Sequence, residues 1–207
     1  VAQAENEVML TREKYIDAVV GPQSYQNIPK ILNNILRKKS SVNFTDFDVI
    51  EKFDKLNVIE NSDSKVSAFI TIQEGCDKFC SFCVVPFTRG FESSRNASHI
   101  FNEISYLVQN GCKEVILLGQ NVNAYHGMDN KNKEINLAKL ITCLENIKDL
   151  RRISYTTSHP IDMDKELIDL HGASEKLNRY LHLPVQSGSD KVLKLMNRKY
   201  NRSSYID

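Results

Sequence analysis

Three cysteines, Cys76, Cys80 and Cys83, stand close together directly after the apolar stretch 68–72. Their Cys-x3-Cys-x2-Cys spacing offers a metal centre three thiolates from one loop. A [4Fe–4S] cluster normally takes four cysteine ligands, so three would leave one iron open. An open metal position is where a substrate binds, as the contrast between catalytic and structural zinc sites shows. The run therefore predicts an iron–sulfur site that binds a further molecule.

On the residues alone, three interpretations of the triplet compete. In a radical S-adenosylmethionine (SAM) site, the methionine part of SAM chelates the open iron, and Phe82 would pack against the adenine ring. A zinc site needs a fourth Cys or His and usually a second Cys-x2-Cys pair, which the sequence lacks. A ferredoxin-like cluster expects Cys-x2-Cys-x2-Cys and a fourth Cys before a proline; Pro86 is near, but the first spacing is x3. The spacing favours the SAM site and leaves the other two open.

The composition is that of an ordinary globular protein, with 41% hydrophobic and 26% charged residues. The chain of 207 residues can hold one domain, or one domain and part of another. No stretch approaches the roughly 18 apolar residues of a membrane span, and no signal peptide is recognised, so we expect a cytoplasmic protein. A net charge of +1 means that RNA binding would need a local basic patch. Cys112 and Cys143, outside the triplet, are expected to be small buried hydrophobes.

The pattern of apolar residues predicts the elements that position the cysteine loop. Residues 1–48 read as the end of an α/β domain, with a strand over 15–20 and a helix carrying Ile28 to Leu36. Residues 49–66 are predicted to be a linker, and 67–207 a second α/β domain. Strands are predicted in this second domain at 68–73, 114–119, 152–157 and 180–184, with amphipathic helices between and after them.

Strands that alternate with helices imply right-handed βαβ units and a parallel sheet. Ligands of such sheets gather beyond the carboxyl ends of the strands. The cysteine loop and the segments 119–121, 158–160 and 186–189 each follow one predicted strand, so we expect them to lie at one edge. Four βα units are too few to close a barrel, so the sheet is either open or a barrel cut short, and the pattern favours a barrel cut short.

The residues around the cysteines resemble one enzyme family. Residues 73–90, QEGCDKFCSFCVVPFTRG, are similar to the radical SAM methylthiotransferases, and 117–125, LLGQNVNAY, are similar to the branch that acts on tRNA. The segments YTTSHP at 155–160, LHLPVQSGSD at 181–190 and VGPQ at 20–23 extend the resemblance. It covers nearly the whole chain and is weakest over 40–66.

The resemblance implies a partial (β/α) radical SAM barrel, preceded by the tail of an N-terminal α/β methylthiotransferase domain. The three cysteines would hold the [4Fe–4S] cluster that cleaves SAM to a 5′-deoxyadenosyl radical. This radical would abstract hydrogen from C2 of isopentenylated adenosine beside the anticodon, and a methylthio group would replace it. The implied cofactor-binding residues are Phe82, Gln120 and Asn121 (the last two at the methionine amino group), together with Ser158, Gln186 and Ser187.

The implied partners are a tRNA anticodon stem-loop and an electron donor such as flavodoxin or ferredoxin, with no membrane and a monomeric enzyme. Family members carry a second [4Fe–4S] cluster on three cysteines that would precede Val1, and an RNA-binding β-domain that would follow Asp207. The chain is thus predicted to be an internal part of a longer enzyme, inactive or incomplete by itself. A ribosomal-protein methylthiotransferase of the same family and a non-catalytic iron–sulfur redox protein are the alternatives.

The remaining charged and titratable residues have simpler interpretations. His159 and His182 lie within the matching segments and are assigned no catalytic role. A stripe of basic residues at helical spacing is predicted to be a solvated face, with phosphate contact as the alternative: Lys191, Lys194, Arg198 and Arg202.

Overall fold

The computed structural model describes residues 2–5, 7–38, 42–45 and 66–207. They divide into two compact units. The first holds the described residues up to 45 together with 84–91, and the second holds 66–83 and 92–207. The predicted linker lies outside the described residues except for Val66. None of the described helices is both long and apolar enough to span a lipid bilayer.

The first unit is a small α/β assembly. Its elements are α1 (Ala2–Glu5), α2 (Glu7–Arg12), β1 (Ala18–Val20), a 3₁₀ helix (Pro22–Asn27), α3 (Ile28–Lys38), β2 (Val42–Phe44) and α4 (Val85–Arg89). Strands β1 and β2 are parallel, with Val19 opposite Asn43. The predicted helix is confirmed as α3, whose Ile31 is buried. The strand predicted over 15–20 forms only over Ala18–Val20. Tyr15, at its predicted start, is almost fully exposed.

The second unit alternates strands and helices, as the sequence predicts. Its elements are β3 (Ser67–Thr71), β4 (Gln73–Glu74), β5 (Ser93–Ser94), α5 (Ala97–Gln109), β6 (Glu114–Leu118), a 3₁₀ helix (Val122–Ala124), β7 (His126–Met128), β8 (Glu134–Asn136), α6 (Leu137–Glu145), β9 (Arg152–Tyr155), a 3₁₀ helix (Pro160–Asp162), α7 (Lys165–Ala173), α8 (Asp190–Leu195) and α9 (Arg202–Ile206).

Strands β3, β6 and β9 form one parallel sheet in that order. Leu117 in β6 lies opposite Ile70 in β3 and Tyr155 in β9, so all three strands end at the same edge. Two antiparallel pairs form from segments that follow the strands in the chain: β4 pairs with β5 after β3, and β7 pairs with β8 after β6. The parallel sheet predicted from the alternating pattern is confirmed.

The helices of the second unit are fixed by caps and by apolar burial. Asn96, Asn136 and Asp164 each precede a helix and accept a hydrogen bond from a backbone N–H of its first turn. Ile100 of α5 and Ile141 of α6 are fully buried in the core that covers the sheet. Each such side chain contributes about 1.5–3 kcal/mol through the area it removes from water.

No strand forms at 180–184, and this prediction is wrong. Leu177 makes a single parallel bridge to Ile153, whose N–H donates to Lys176 O and whose carbonyl accepts from Asn178 N, both at 2.8 Å. Beyond this bridge Tyr180 is 71% exposed, and Pro184 has no N–H to add to a ladder. The strand pattern is present in the sequence, but a strand needs a neighbour to pair with.

The two isolated cysteines differ in their surroundings. Cys112 is buried in the core, as predicted. Cys143 is exposed on α6, so the expectation of burial is wrong for it, whereas Leu140 and Leu144 of the same helix face the core.

Candidate functional site

The cysteine loop begins where β4 ends and contains no helix or strand. Cys80 is buried, while Cys76 and Cys83 are partly exposed, and all three are free thiols. The loop turns at Gly75 and Phe79, both of which have positive φ angles, and Cys83 N donates to Cys80 O at 2.9 Å. Burial is the main reason why the pKa of Cys76 is raised, and the nearby Glu92 charge adds to it.

The geometry of the donors bears on the choice of metal centre. Among the described residues, no three His, Cys, Asp or Glu side chains converge on a single ion. A mononuclear zinc site needs such convergence. Each thiolate of a cubane cluster binds a different iron, so three cluster ligands need not point at one position. The lack of convergence on one position among the described residues is therefore compatible with a cluster.

Gln73 connects the start of the cysteine loop to the end of β6. Its side chain is fully buried; Oε1 accepts from Gln120 N at 2.9 Å and Asn121 N at 3.1 Å, and Nε2 donates to Gly75 O at 2.7 Å. In return Gly75 N donates to Gln120 Oε1 at 2.7 Å. A Cβ on Gly119 would lie 2.9 Å from Gln73 O, so glycine is required for this close approach.

Two of the predicted cofactor-binding residues leave a buried oxygen without a partner. These atoms are Asn121 Oδ1 and Ser158 Oγ, which follow the carboxyl ends of β6 and β9. Both residues are at most 6% exposed. Buried polar atoms normally have a hydrogen-bond partner, so two unpaired oxygens beyond the carboxyl ends of neighbouring strands indicate a site for a polar ligand.

An ion pair that the sequence analysis did not single out joins three of these loops. Asp162 accepts from Lys78 Nζ through Oδ1 and from Asn121 Nδ2 through Oδ2, both at 2.8 Å. The side chains of Lys78 and Asp162 are only 24% and 18% exposed. Burial alone would lower the pKa of Lys78, but the hydrogen bond and charge of Asp162 outweigh it and raise this pKa. The two residues are 84 positions apart, so no local pattern could have paired them.

A cavity of about 240 Å³ opens beside this ion pair. It is lined by Asp77, Lys78, His159, Ile161, Asp162, Asn197 and Lys199. Burial, helped by the charge of Arg198, lowers the pKa of His159 to about 4. Since Ile161 N donates to His159 Nδ1 at 3.2 Å, this ring is neutral and carries its proton on Nε2. The absence of a catalytic role for His159 remains a prediction.

A second carboxylate also lies near the cysteine loop. The Glu92 side chain is 7% exposed; Oε1 lies 3.3 Å from His126 Nδ1, and Oε2 is buried without a partner. Burial raises the pKa of Glu92, and the Lys78 charge opposes this shift. Its backbone N donates to Asp77 Oδ1 at 3.0 Å, which connects it to the loop between Cys76 and Cys80.

The segment that follows α8 holds the middle of the cysteine loop. Ser81 donates through N to Met196 O at 3.1 Å and through Oγ to Leu195 O at 2.9 Å. Asn197 Nδ2 donates to Phe79 O at 2.7 Å. Three hydrogen bonds thus fix the middle of the loop.

Arg198 completes this segment and departs from its predicted place. It is only 8% exposed, and Nη1 donates to Cys80 Sγ at 3.2 Å. Helix α8 ends at Leu195, so Arg198 is not on the same helix as Lys191 and Lys194, and the predicted solvated face is wrong for it. Because α8 ends before it, Arg198 does not share the exposed helix face of Lys191 and Lys194, and its side chain is buried.

The remaining predicted cofactor contacts lie on more open segments. Phe82 is 54% exposed, Gln186 is exposed, and Ser187 Oγ accepts from Ser189 N at 3.1 Å. Gln186 has a φ angle of 67°, within the irregular segment where the fourth strand was expected. Their roles, like those of Gln120, Asn121 and Ser158, remain predictions.

The described residues fit an iron–sulfur cluster with a polar cofactor beside it. The loop offers three thiols, and a cluster binds cysteine as thiolate. The unpaired oxygens of Asn121 and Ser158 and the fixed carboxylate of Asp162 provide polar groups at the same edge of the sheet.

Comparison with curated proteins finds close relatives with one function in their names. The chain is 56% identical over 206 residues to tRNA-2-methylthio-N(6)-dimethylallyladenosine synthase of Pelagibacter ubique, and 53% identical over 207 residues to the same-named protein of Rickettsia bellii. Each alignment covers 100% of this chain and 46% of the relative, so the chain spans about half the length of the curated proteins it matches.

Solved structures give a weaker likeness. The tryptophan- and aza-SAM-bound radical S-adenosylmethionine methyltransferase TsrM from Kitasatospora setae matches 67% of this chain and 26% of its own, with a TM-score of 0.49 and 16% identity.

A family model described as the Radical SAM superfamily matches residues 70–207. This range runs from within β3 to the end of the chain and includes the cysteine loop and the segments 119–121, 158–160 and 186–189. The family implies SAM and a [4Fe–4S] cluster, which is the first of the three interpretations of the triplet. The chain belongs to the Radical SAM superfamily.

Proposed function

We propose that this chain is the radical-generating part of an enzyme that adds a methylthio group to C2 of isopentenylated adenosine adjacent to the anticodon of tRNA. The observation that carries the proposal is the 56% identity, over the whole chain, with a relative named for that reaction. The arrangement of the cysteine loop and the strand ends supports it.

Cys76, Cys80 and Cys83 would hold the cluster, and they alone are assigned as catalytic. When bound, the cluster and SAM would supply the radical chemistry needed at C2 of the adenosine. The work of the protein is to place these groups and to keep water from the radical.

The neighbouring residues bind and orient. Gln73 and Gln120 fix the entry of the cysteine loop through the hydrogen bonds at Gly75. Asn121 and Ser158 offer their unpaired oxygens to polar groups of SAM. We assign further cofactor contacts to Phe82, Gln120, Gln186 and Ser187.

The proposal extends to the partners of the whole enzyme. These are a tRNA anticodon stem-loop and a one-electron donor of the flavodoxin or ferredoxin kind, in a cytoplasmic, monomeric protein. A second [4Fe–4S] cluster, on cysteines outside this sequence, belongs to the same proposal.

The test uses the full-length enzyme that contains this chain. It is incubated anaerobically with SAM, a reductant and tRNA that carries isopentenylated adenosine, and the digested nucleosides are analysed by mass spectrometry. We expect the methylthiolated nucleoside with the wild type and with Cys143→Ser, whose cysteine is exposed on α6, and none with Cys83→Ser.

Two outcomes would contradict the proposal. Modification of a ribosomal protein in place of tRNA would assign the enzyme to the sister activity. Equal amounts of product from Cys83→Ser and the wild type would show that the three cysteines are not required for the reaction.

A further inference from the structure

The buried guanidinium of Arg198 is directed at a sulfur of the cysteine loop. Nη1 lies 3.2 Å from Cys80 Sγ, and both residues are at most 9% exposed. The other nitrogens are also engaged: Nε donates to Tyr200 Oη at 3.1 Å, and Nη2 lies 3.4 Å from Pro184 O. An arginine that donates in three directions is held in one orientation.

Tyr200 braces this arginine from a second side. Its ring centroid lies 5.3 Å from the guanidinium carbon, within the range of a cation–π contact. Its hydroxyl donates to Val185 O at 2.7 Å, and the His159 ring meets it edge-on with centroids 5.6 Å apart. The guanidinium is therefore supported by groups that are themselves fixed.

The backbone sets the distance between Arg198 and Cys80. The three hydrogen bonds that Leu195, Met196 and Asn197 make with residues 79–81 join the two segments immediately before the arginine. These hydrogen bonds hold the two segments together, and Arg198 is thereby kept within hydrogen-bonding distance of the Cys80 sulfur.

We propose that Arg198 is a positioning residue that hydrogen-bonds the Cys80 thiolate and thereby raises the reduction potential of the cluster bound there. The inference rests on the assignment of the three cysteines as cluster ligands. Reduction adds one negative charge to the cluster. A buried positive charge and an N–H···S bond stabilise the more negative form, and hydrogen bonds to sulfur are among the features that set cluster potentials.

Charges on the other side of the loop do not replace Arg198. Lys78, which interacts electrostatically with Cys76, is already paired with Asp162, and the buried Glu92 adds negative charge near Cys76. Among the described residues, Arg198 is the cation with a hydrogen bond to Cys80, so its removal takes away the positive charge at that sulfur.

The experiment is an anaerobic potentiometric titration of the reconstituted full-length enzyme, followed by electron paramagnetic resonance (EPR). The relevant cluster signal is the one that Cys80→Ser lacks. Arg198→Met removes the charge and donors, Arg198→Lys keeps the charge, and Arg202→Met is the matched control because Arg202 is exposed. Iron and sulfide contents are measured for every variant.

We expect Arg198→Met to make reduction at least tenfold less favourable, which is 59 mV more negative for one electron. Arg198→Lys should shift in the same direction by less, and Arg202→Met should not shift. If Arg198→Met loses iron, the test rests on Arg198→Lys, which must retain the cluster and show a more negative reduction potential than the wild type.

The results that overturn the inference are distinct from those that overturn the proposed function. A wild-type enzyme without a cluster that depends on Cys80 refutes the cluster assignment, and the inference with it. A fully loaded Arg198 variant with the wild-type potential refutes the inference alone. Weaker SAM binding at an unchanged potential would assign the guanidinium to the cofactor and likewise refute it.

Discussion

Replacing Asp162 by Ala should destabilise the second unit through the loss of two hydrogen bonds at once. The change removes both acceptors of the ion-pair network, so Lys78 loses its counter-ion and Asn121 loses the partner of its Nδ2. The two charged side chains are about one-fifth exposed, so the pair lies between the exposed and the fully buried cases.

The magnitude follows from those two limits. Exposed ion pairs contribute about 0.2–1 kcal/mol, and removing one partner of a buried pair costs about 3–5 kcal/mol. A hydrogen bond to a charged group is worth about 1.5–3 kcal/mol. We therefore expect Asp162→Ala to lower the free energy of unfolding by about 2–3 kcal/mol.

The assay is urea denaturation followed by circular dichroism, with Asp169→Ala as the matched control. Asp169 pairs with Lys165 at 3.0 Å, but these side chains are 61% and 88% exposed, so the control should lose less than about 0.5 kcal/mol. A double-mutant cycle with Lys78→Met should show a coupling of about 1 kcal/mol or more. Equal losses for Asp162→Ala and Asp169→Ala, or no coupling with Lys78, would refute the reasoning.

Two further variants test the packing and the ionisation of this edge. Gly119→Ala should lower the free energy of unfolding by about 1–3 kcal/mol, because its Cβ would lie 2.9 Å from Gln73 O. The control is Gly188→Ala, whose Cβ would meet no atom within 4 Å and which should cost less than about 1 kcal/mol. Equal losses for the two variants in a denaturant titration would contradict this. The pKa of His159 is lowered to about 4, so its neutral ring stabilises the fold above pH 6.5, and this contribution, at most about 3 kcal/mol, is lost as the pH falls towards 4. His159→Gln should flatten the stability profile between pH 6.5 and 4 relative to the exposed control His99→Gln, and identical slopes would count against the buried neutral ring.

Much of the sheet could be predicted because its signals are local. Apolar runs at 114–119 and 152–157 and the helices between them appear where the periodicity places them. Strand ends in a parallel sheet meet at one edge, so the contact of Gln120 with Gly75 at the start of the cysteine loop also followed from order alone.

The parts that were missed depend on tertiary contacts. The run at 180–184 has a strand pattern, but pairing beyond Leu177 needs a neighbouring backbone. Arg198 has the spacing of a solvated stripe, yet α8 ends three residues earlier and the chain turns it towards Cys80. Asp162 ends the short 3₁₀ helix that begins at Pro160, and its partner Lys78 is 84 residues away.

The most direct test of the account is the response of the cluster to SAM. The full-length enzyme is reconstituted, reduced and followed by EPR with and without SAM, beside Cys80→Ser and Cys143→Ser. The account predicts a signal that changes on addition of SAM in the wild type and in Cys143→Ser, and that Cys80→Ser lacks. A cluster signal that SAM leaves unchanged, or one that Cys80→Ser retains with its SAM response, would contradict the claim that this loop holds a cluster with an open iron.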